Sequence, residues 1–173
     1  AHRSGMLTAE LAQNMYVEKA PPGAKNPTIL LSTPGLLSFA EVGDGPVRGI
    51  HFMDDYVWVV SGDTLYRVSS SAATDEVGPV GGSCHVVMTD NGTHLWIGTD
   101  VNLLAANIAD GVLEIEGAFG FNGVTYQDGY LIATAISTQD FYISDLDTYT
   151  LSGDFSNADA FQDRIVGISS FHR

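Results

Sequence analysis

Cysteine is nearly missing from this sequence. Cys84 stands alone among 173 residues, which excludes an internal disulfide framework and any zinc site built on a cysteine cluster. In Cys84-His85-Val86-Val87-Met88 it reads as a buried, inert thiol on a strand. Neighbours on a strand face opposite ways, so His85 is poorly placed to act as its base. Basic residues are almost as scarce: seven Lys and Arg stand against twenty-one Asp and Glu, a net charge of −14. Affinity for nucleic acid rests on cations that neutralise phosphates, so tight DNA binding is not expected. No apolar run approaches the ~18 residues of a membrane helix, and no span of a bilayer is expected.

Patterns that carry chemistry are missing too. His2, His51, His85, His94 and His172 never fall at the close spacings of a zinc site. There is no Gly-x-Ser-x-Gly elbow and no Gly-rich loop ending in Lys-Ser or Lys-Thr. The pairs Asp54-Asp55, Asp90-Asn91 and Asp145-x-Asp147 lack the spacing of a calcium loop. They fit hairpin turns, where Asp and Asn bond their own backbone. Asn91-Gly92-Thr93 matches a glycosylation acceptor but lies where a turn is required. Ser152-x-Asp154-x-Ser156 is faintly similar to the Asp-box turn of sialidase propellers, without its Gly and aromatic residues. No catalytic residue, metal site or cofactor is expected, and the chain is not expected to be an enzyme.

What the sequence does have is glycine, nineteen of them, and an apolar fraction of 45% with 16% charged residues, a globular balance. From about Val47 onward, short apolar strands alternate with Gly, Asp, Asn and Ser turns. Three segments align: Asp55–Gly62, Thr93–Asp100 and Gly129–Ile136, with Trp58, Trp96 and Ile132 in equivalent places. Their period, about forty residues, is that of propeller blades. Each follows a tight turn and a leading strand (Val47–Phe52, Cys84–Met88, Gly123–Tyr126). Each continues into a third strand (Thr64–Val68, Leu103–Ala106, Asp140–Ser144), and the first two into a weaker fourth near Glu76-Val77 and Val112–Ile115. The expected fold is therefore all-β, a β-propeller-like array of about three four-stranded antiparallel blades over residues 47–173. A single blade cannot bury both faces, so blades stack. Arg164–Ile168 reads as the first strand of a further blade, and the chain is read as a piece of a longer domain. Tyr66 and Phe141-Tyr142 are expected to pack blades and not to line a ligand cage.

Residues 1–46 read as an irregular N-terminal arm. Leu7–Gln13 could form a helical turn or two and Ile29-Leu30-Leu31 one strand, among the turn signals Pro21-Pro22-Gly23, Asn26-Pro27 and Thr33-Pro34-Gly35. Nothing in the arm supplies a core of its own.

An ordered set of segments resembles a known family. Asn14–Glu18, Gly23–Pro27, Thr33–Leu36, Gly45–Gly49, Leu65–Val68, Asp128–Tyr130, Phe141–Leu146 and Asp163–Ile168 are similar to the packaged-DNA-stabilisation, or tail-hub, proteins of short-tailed bacteriophages. The resemblance implies a structural virion protein of the phage tail, made in the host cytoplasm. It would form a ring oligomer with itself, extend the channel below the portal and adaptor proteins, and help retain packaged DNA. A plug or needle and the tailspikes would attach to it. Together with the coreless arm, it points to Met15, Tyr16, Val17, Glu18, Pro34 and Gly35 as subunit or partner contacts. Carboxylates on a channel wall would keep DNA sliding. The competing expectation is a propeller module that binds carbohydrate or peptide in an aromatic-lined pocket.

Overall fold

A computed structural model describes residues 15–107, 109, 111–116, 119–158 and 163–170. The helical turn expected at Leu7–Gln13 lies outside them. The chain divides into two units, Ala1–Ser38 and Phe39–Arg173. The first holds β1 (Met15–Lys19) and β2 (Thr28–Ser32), paired antiparallel. Its loop is closed by the Ala20 amide donating to Pro27 O at 3.0 Å.

The second unit is a propeller-type array of three four-stranded antiparallel sheets, each built from consecutive strands. The first contains β3 (Val47–Met53), β4 (Tyr56–Ser61), β5 (Thr64–Val68) and β6 (Thr74–Pro79). The second contains β7 (Val87–Asp90), β8 (His94–Gly98), β9 (Leu103–Asn107) and β10 (Gly111–Glu116). The third contains β11 (Phe121–Gln127), β12 (Tyr130–Ala135), β13 (Asp140–Ser144) and β14 (Leu151–Asn157). The leading strands adjoin, β3 against β7 and β7 against β11. Two of the hairpins turn through residue pairs with positive φ: Asp54 (51°) with Asp55 (63°), and Asp128 (53°) with Gly129 (88°). Two-residue turns of this hand match the twist of the strands they join, and Asp, Asn and Gly tolerate them best.

Alternation along each second strand builds two cores. Trp58, Val60 and Leu65 of the first sheet meet Leu95, Ile97, Leu104 and Ala106 of the second. The opposite face of the second sheet presents Trp96, Leu103 and Ala105 to Leu131, Ala133 and Val124 of the third. The two indoles are fully buried, and each nitrogen is satisfied: Trp58 Nε1 donates to Met53 O, Trp96 Nε1 to Tyr149 O. Ile132 takes the equivalent place in the third sheet but is half-buried. It lies with Tyr130 and Ile143 beside a cavity of about 470 Å³.

Two expectations are corrected. Cys84 is exposed and precedes β7, which starts at Val87. Its backbone is taken by side chains instead of a ladder: Arg48 Nε donates to Cys84 O at 2.6 Å, and the Asp100 carboxylate accepts from the Ser83 and Cys84 amides. Arg164–Ile168 forms no strand. It runs beside β11, with the Ile165 amide on Thr138 O and Asn122 Nδ2 on Ile165 O. The Asp-box-like Ser152–Ser156 lies within strand β14 and is not a turn.

The first two sheets are tied at one end by a buried arginine. Ladder register slips between Val47 and Gly49, leaving Arg48 at a bulge, and bulges re-aim the side chain they carry. The Arg48 side chain donates to the carbonyls of Cys84, Gly62 and Gly81 at 2.6–2.8 Å and lies 3.7 Å from Asp100. The next residue must be glycine for this approach, since a Cβ at Gly49 would sit 2.5 Å from Val86 Cγ2. The Ser83 amide, with that of Cys84, holds the Asp100 carboxyl below its ordinary value of 3.8.

Replacing Arg48 by Met strands three carbonyls and is expected to cost roughly 3 kcal/mol in urea unfolding; a loss within the noise of a surface substitution would refute this role. For Asp100→Asn the direction with pH is fixed by linkage. A depressed folded-state value means stability that is present above the unfolded value and lost as pH falls through the folded one. The variant is therefore expected to be weaker than the parent at neutral pH, with the gap closing in acid. Unfolding curves across that range read it, and a gap that persists into strong acid contradicts the assignment.

Candidate assembly site

The first unit carries four of the residues singled out as contacts on one strand. Met15, Tyr16, Val17 and Glu18 all lie in β1, paired with Ser32, Leu31, Leu30 and Ile29 of β2. Pro34 and Gly35 follow β2 outside any strand. Because neighbours on a strand face opposite ways, Met15 and Val17 share a side with Leu30, and Tyr16 and Glu18 share the other with Leu31 and Ile29. Neither side is covered: Val17 is 67% exposed on one and Tyr16 47% on the other. Leu36 and Leu37, which pattern reading passed over, are more exposed still. Their signal was present as adjacent leucines with no strand or helix period around them. A two-stranded ribbon is marginal in water by itself, and each outer edge offers unpaired N–H and C=O groups. Its chemistry is that of an element completed by another sheet.

In the second unit, the leading strands enclose a cavity of about 430 Å³ lined by Ile50, His51, His85, Met88, Asn122 and Ile168, with the backbone of Gly49 and Gly123. Among the described residues no carboxylate and no Phe, Tyr or Trp lines it. His51 Nε2 meets Asp90 Oδ2 at 2.6 Å, which joins β3 to β7. The rings that were candidates for a ligand cage are engaged in packing. Tyr142 lies against the second core and within 5.3–6.1 Å of Phe119, Phe121 and Phe155. Burial first, then the Asp140 charge, raises its phenol above the ordinary 10.0. The Tyr66 ring passes so close to Gly43 that a Cβ there would meet it at 2.9 Å.

Carboxylates stand in turns at both ends of the sheets, with Asp63, Asp100 and Asp140 in or beside those that link second to third strands. Asp54, Asp55, Asp128, Asp145 and Asp147 are exposed in turns that link first to second or third to fourth strands. Successive antiparallel strands place those turns at one rim. Contacts between sheets at that end agree: His51 with Asp90, and His94 stacked on Tyr149 at 5.2 Å. At Asp90 and Asn91 the turn chemistry is visible directly. Asp90 Oδ1 accepts from the Gly92 amide, and Asn91 Oδ1 from the Thr93 and His94 amides.

A family model described as bacteriophage P22 Gp10, beta-propeller, of the phage stabilisation type, matches residues 2–173. No curated protein matches the sequence. Among solved structures, the computationally designed Ika4 protein is similar at TM-score 0.59 and 12% identity, over 80% of this chain and 89% of Ika4. The designed Ika8 protein gives TM-score 0.59 and 14% identity over 95% of this chain, which spans 52% of Ika8. The WD40 domain of Neurospora crassa Pan2 gives 0.45 at 14% identity, over 66% of this chain and 36% of that one. At such identities the two designed proteins speak to the fold alone.

Proposed function

The chain belongs to the bacteriophage P22 Gp10 β-propeller family of packaged-DNA-stabilising phage proteins, and from that premise we propose that it works by assembly, as a non-catalytic tail-hub protein of the virion. It joins copies of itself into a ring below the portal and adaptor, extends the tail channel, and offers sites for a plug or needle and for tailspikes. The observation that carries this reading is the β1–β2 ribbon: two strands with apolar residues bare on both sides and no core among the described residues of their own unit. Such an element gains stability when a neighbouring subunit supplies the missing sheet. The charge is compatible with the same role. Carboxylates stand at both ends of the sheets, Asp54, Asp55, Asp128, Asp145 and Asp147 at one and Asp63, Asp100 and Asp140 at the other, and are missing from the cavity between the leading strands, so the ends would face DNA and keep it moving. A carbohydrate- or peptide-binding module has less to stand on, since no Phe, Tyr or Trp among the described residues lines the cavity between the leading strands.

Solution mass by light scattering tests it, on the intact chain and on one lacking residues 1–38. Oligomers that disappear with the deletion are expected. Monomers in both samples at every concentration would count against the ribbon as the assembly element.

A further inference from the structure

The sequence contains two Asn-Gly pairs, Asn91-Gly92 and Asn122-Gly123. In such a pair the glycine nitrogen, once deprotonated, can attack the asparagine Cγ. A new C–N bond closes a succinimide, the bond to the side-chain nitrogen breaks, and ammonia leaves. Water then opens the ring to aspartate or isoaspartate, so the sequence needs no other reactant.

The fold treats the two pairs differently. Asn122 is half-buried in β11 with both ends of its amide held: Nδ2 donates to Ile165 O and Oδ1 accepts from Thr134 Oγ1, each at 2.8 Å. Gly123 beside it is confined by Thr134 and Ile168. Asn91 lies exposed in the β7–β8 turn. Its Oδ1 accepts from the Thr93 amide at 3.0 Å, Thr93 Oγ1 at 2.9 Å and the His94 amide at 2.8 Å. That oxygen takes up negative charge when Cγ becomes tetrahedral, and donors already aimed at it lower the barrier.

One group opposes the reaction. Asp90 Oδ1 accepts from the Gly92 amide at 2.7 Å, the nitrogen that must lose its proton, while His51 holds Oδ2 at 2.6 Å. The amide anion would form against a carboxylate and lose its best partner. We propose that Asn91 is the site of spontaneous deamidation in this chain and that the Asp90 carboxylate sets its rate. The product adds a negative charge at its end of the sheets. Its isoaspartyl form also inserts a methylene into the backbone where the Asn91 amide donates to His94 O.

Peptide mapping by mass spectrometry, with isoaspartate measured at each asparagine during incubation at mildly alkaline pH, tests this on the full chain. In the parent, conversion is expected at Asn91 and not at Asn122. Asp90→Ala should speed Asn91 by roughly tenfold, the worth of a hydrogen bond to a charged acceptor. Asp90→Asn, which keeps an acceptor without the charge, should fall between. Asn122 in the same sample reports opening of the fold: if both asparagines accelerate together, unfolding and not Asp90 controls the rate, and the proposal fails. It fails equally if Asn122 converts first, or if Asp90→Ala leaves the rate at Asn91 unchanged.

Discussion

A sheet that is apolar on both faces cannot exist alone in water, and the rest of the second unit follows from that constraint. The middle strand β8 states it most clearly. Leu95 and Ile97 point one way and Trp96 the other, and all are buried. Each must meet an apolar face on a different neighbour, so the sheet needs company on both sides. The first and third sheets supply it, and the side chains that meet are chosen for size: indoles on one face stand against Leu, Ile and Ala on the next. Side-by-side stacking then brings the leading strands together. There the backbone approaches closely enough that Gly49 tolerates no side chain.

Stacked apolar faces slide unless polar contacts fix them, and those contacts sit at the two ends of the sheets. At one end Arg48 gathers three carbonyls from two separate segments, the β4–β5 turn and the β6–β7 connection. An arginine is suited to this because its planar fork presents several donors in fixed directions. At the other end the His51–Asp90 pair and the Trp96–Tyr149 bond link successive sheets. The bulge motif recurs in the third sheet, where Asn122 replaces Arg48 and reaches the backbone of residue 165 in place of residue 84. The same local device thus serves two sheets with different side chains.

Period and turn chemistry made most strands legible in advance. Thr64–Val68 and Asp140–Ser144 fall where alternation placed them, because each is flanked by Gly, Asp or Ser and packs on a face already apolar. Cys84 misled because the apolar run Val86-Val87-Met88 follows it closely while its backbone is claimed by Asp100, sixteen positions away in sequence; no local pattern contains that. Arg164–Ile168 has strand composition but no ladder partner among the described residues. β1 escaped notice for a related reason: Met15–Lys19 shows no buried face, and its pairing with β2 is settled across a loop of turn residues. The contact residues on β1 came from family resemblance and the arm's lack of a core; Leu36 closed one of the resembling segments, but neither it nor Leu37 falls in a period that marks a face.

Charge accounting constrains how a protein of this family can stabilise packaged DNA. Of the basic residues described, Arg48 is buried on carbonyls and Arg67 is paired with Asp75 at 3.2 Å. Lys19, Lys25 and Arg164 stand in solvent, the two lysines in the ribbon unit. Neutralising a phosphate releases counterions, and affinity grows with the number neutralised. So small a set among the described residues, against a net charge of −14, offers few counter-charges to a polymer that carries a charge at every phosphate. Under the proposed role the work is geometric: subunits would close a path, and carboxylates at the ends of the sheets would repel what lies within it. The bare apolar sides of the β1–β2 ribbon are the feature of the chain that such an assembly would use.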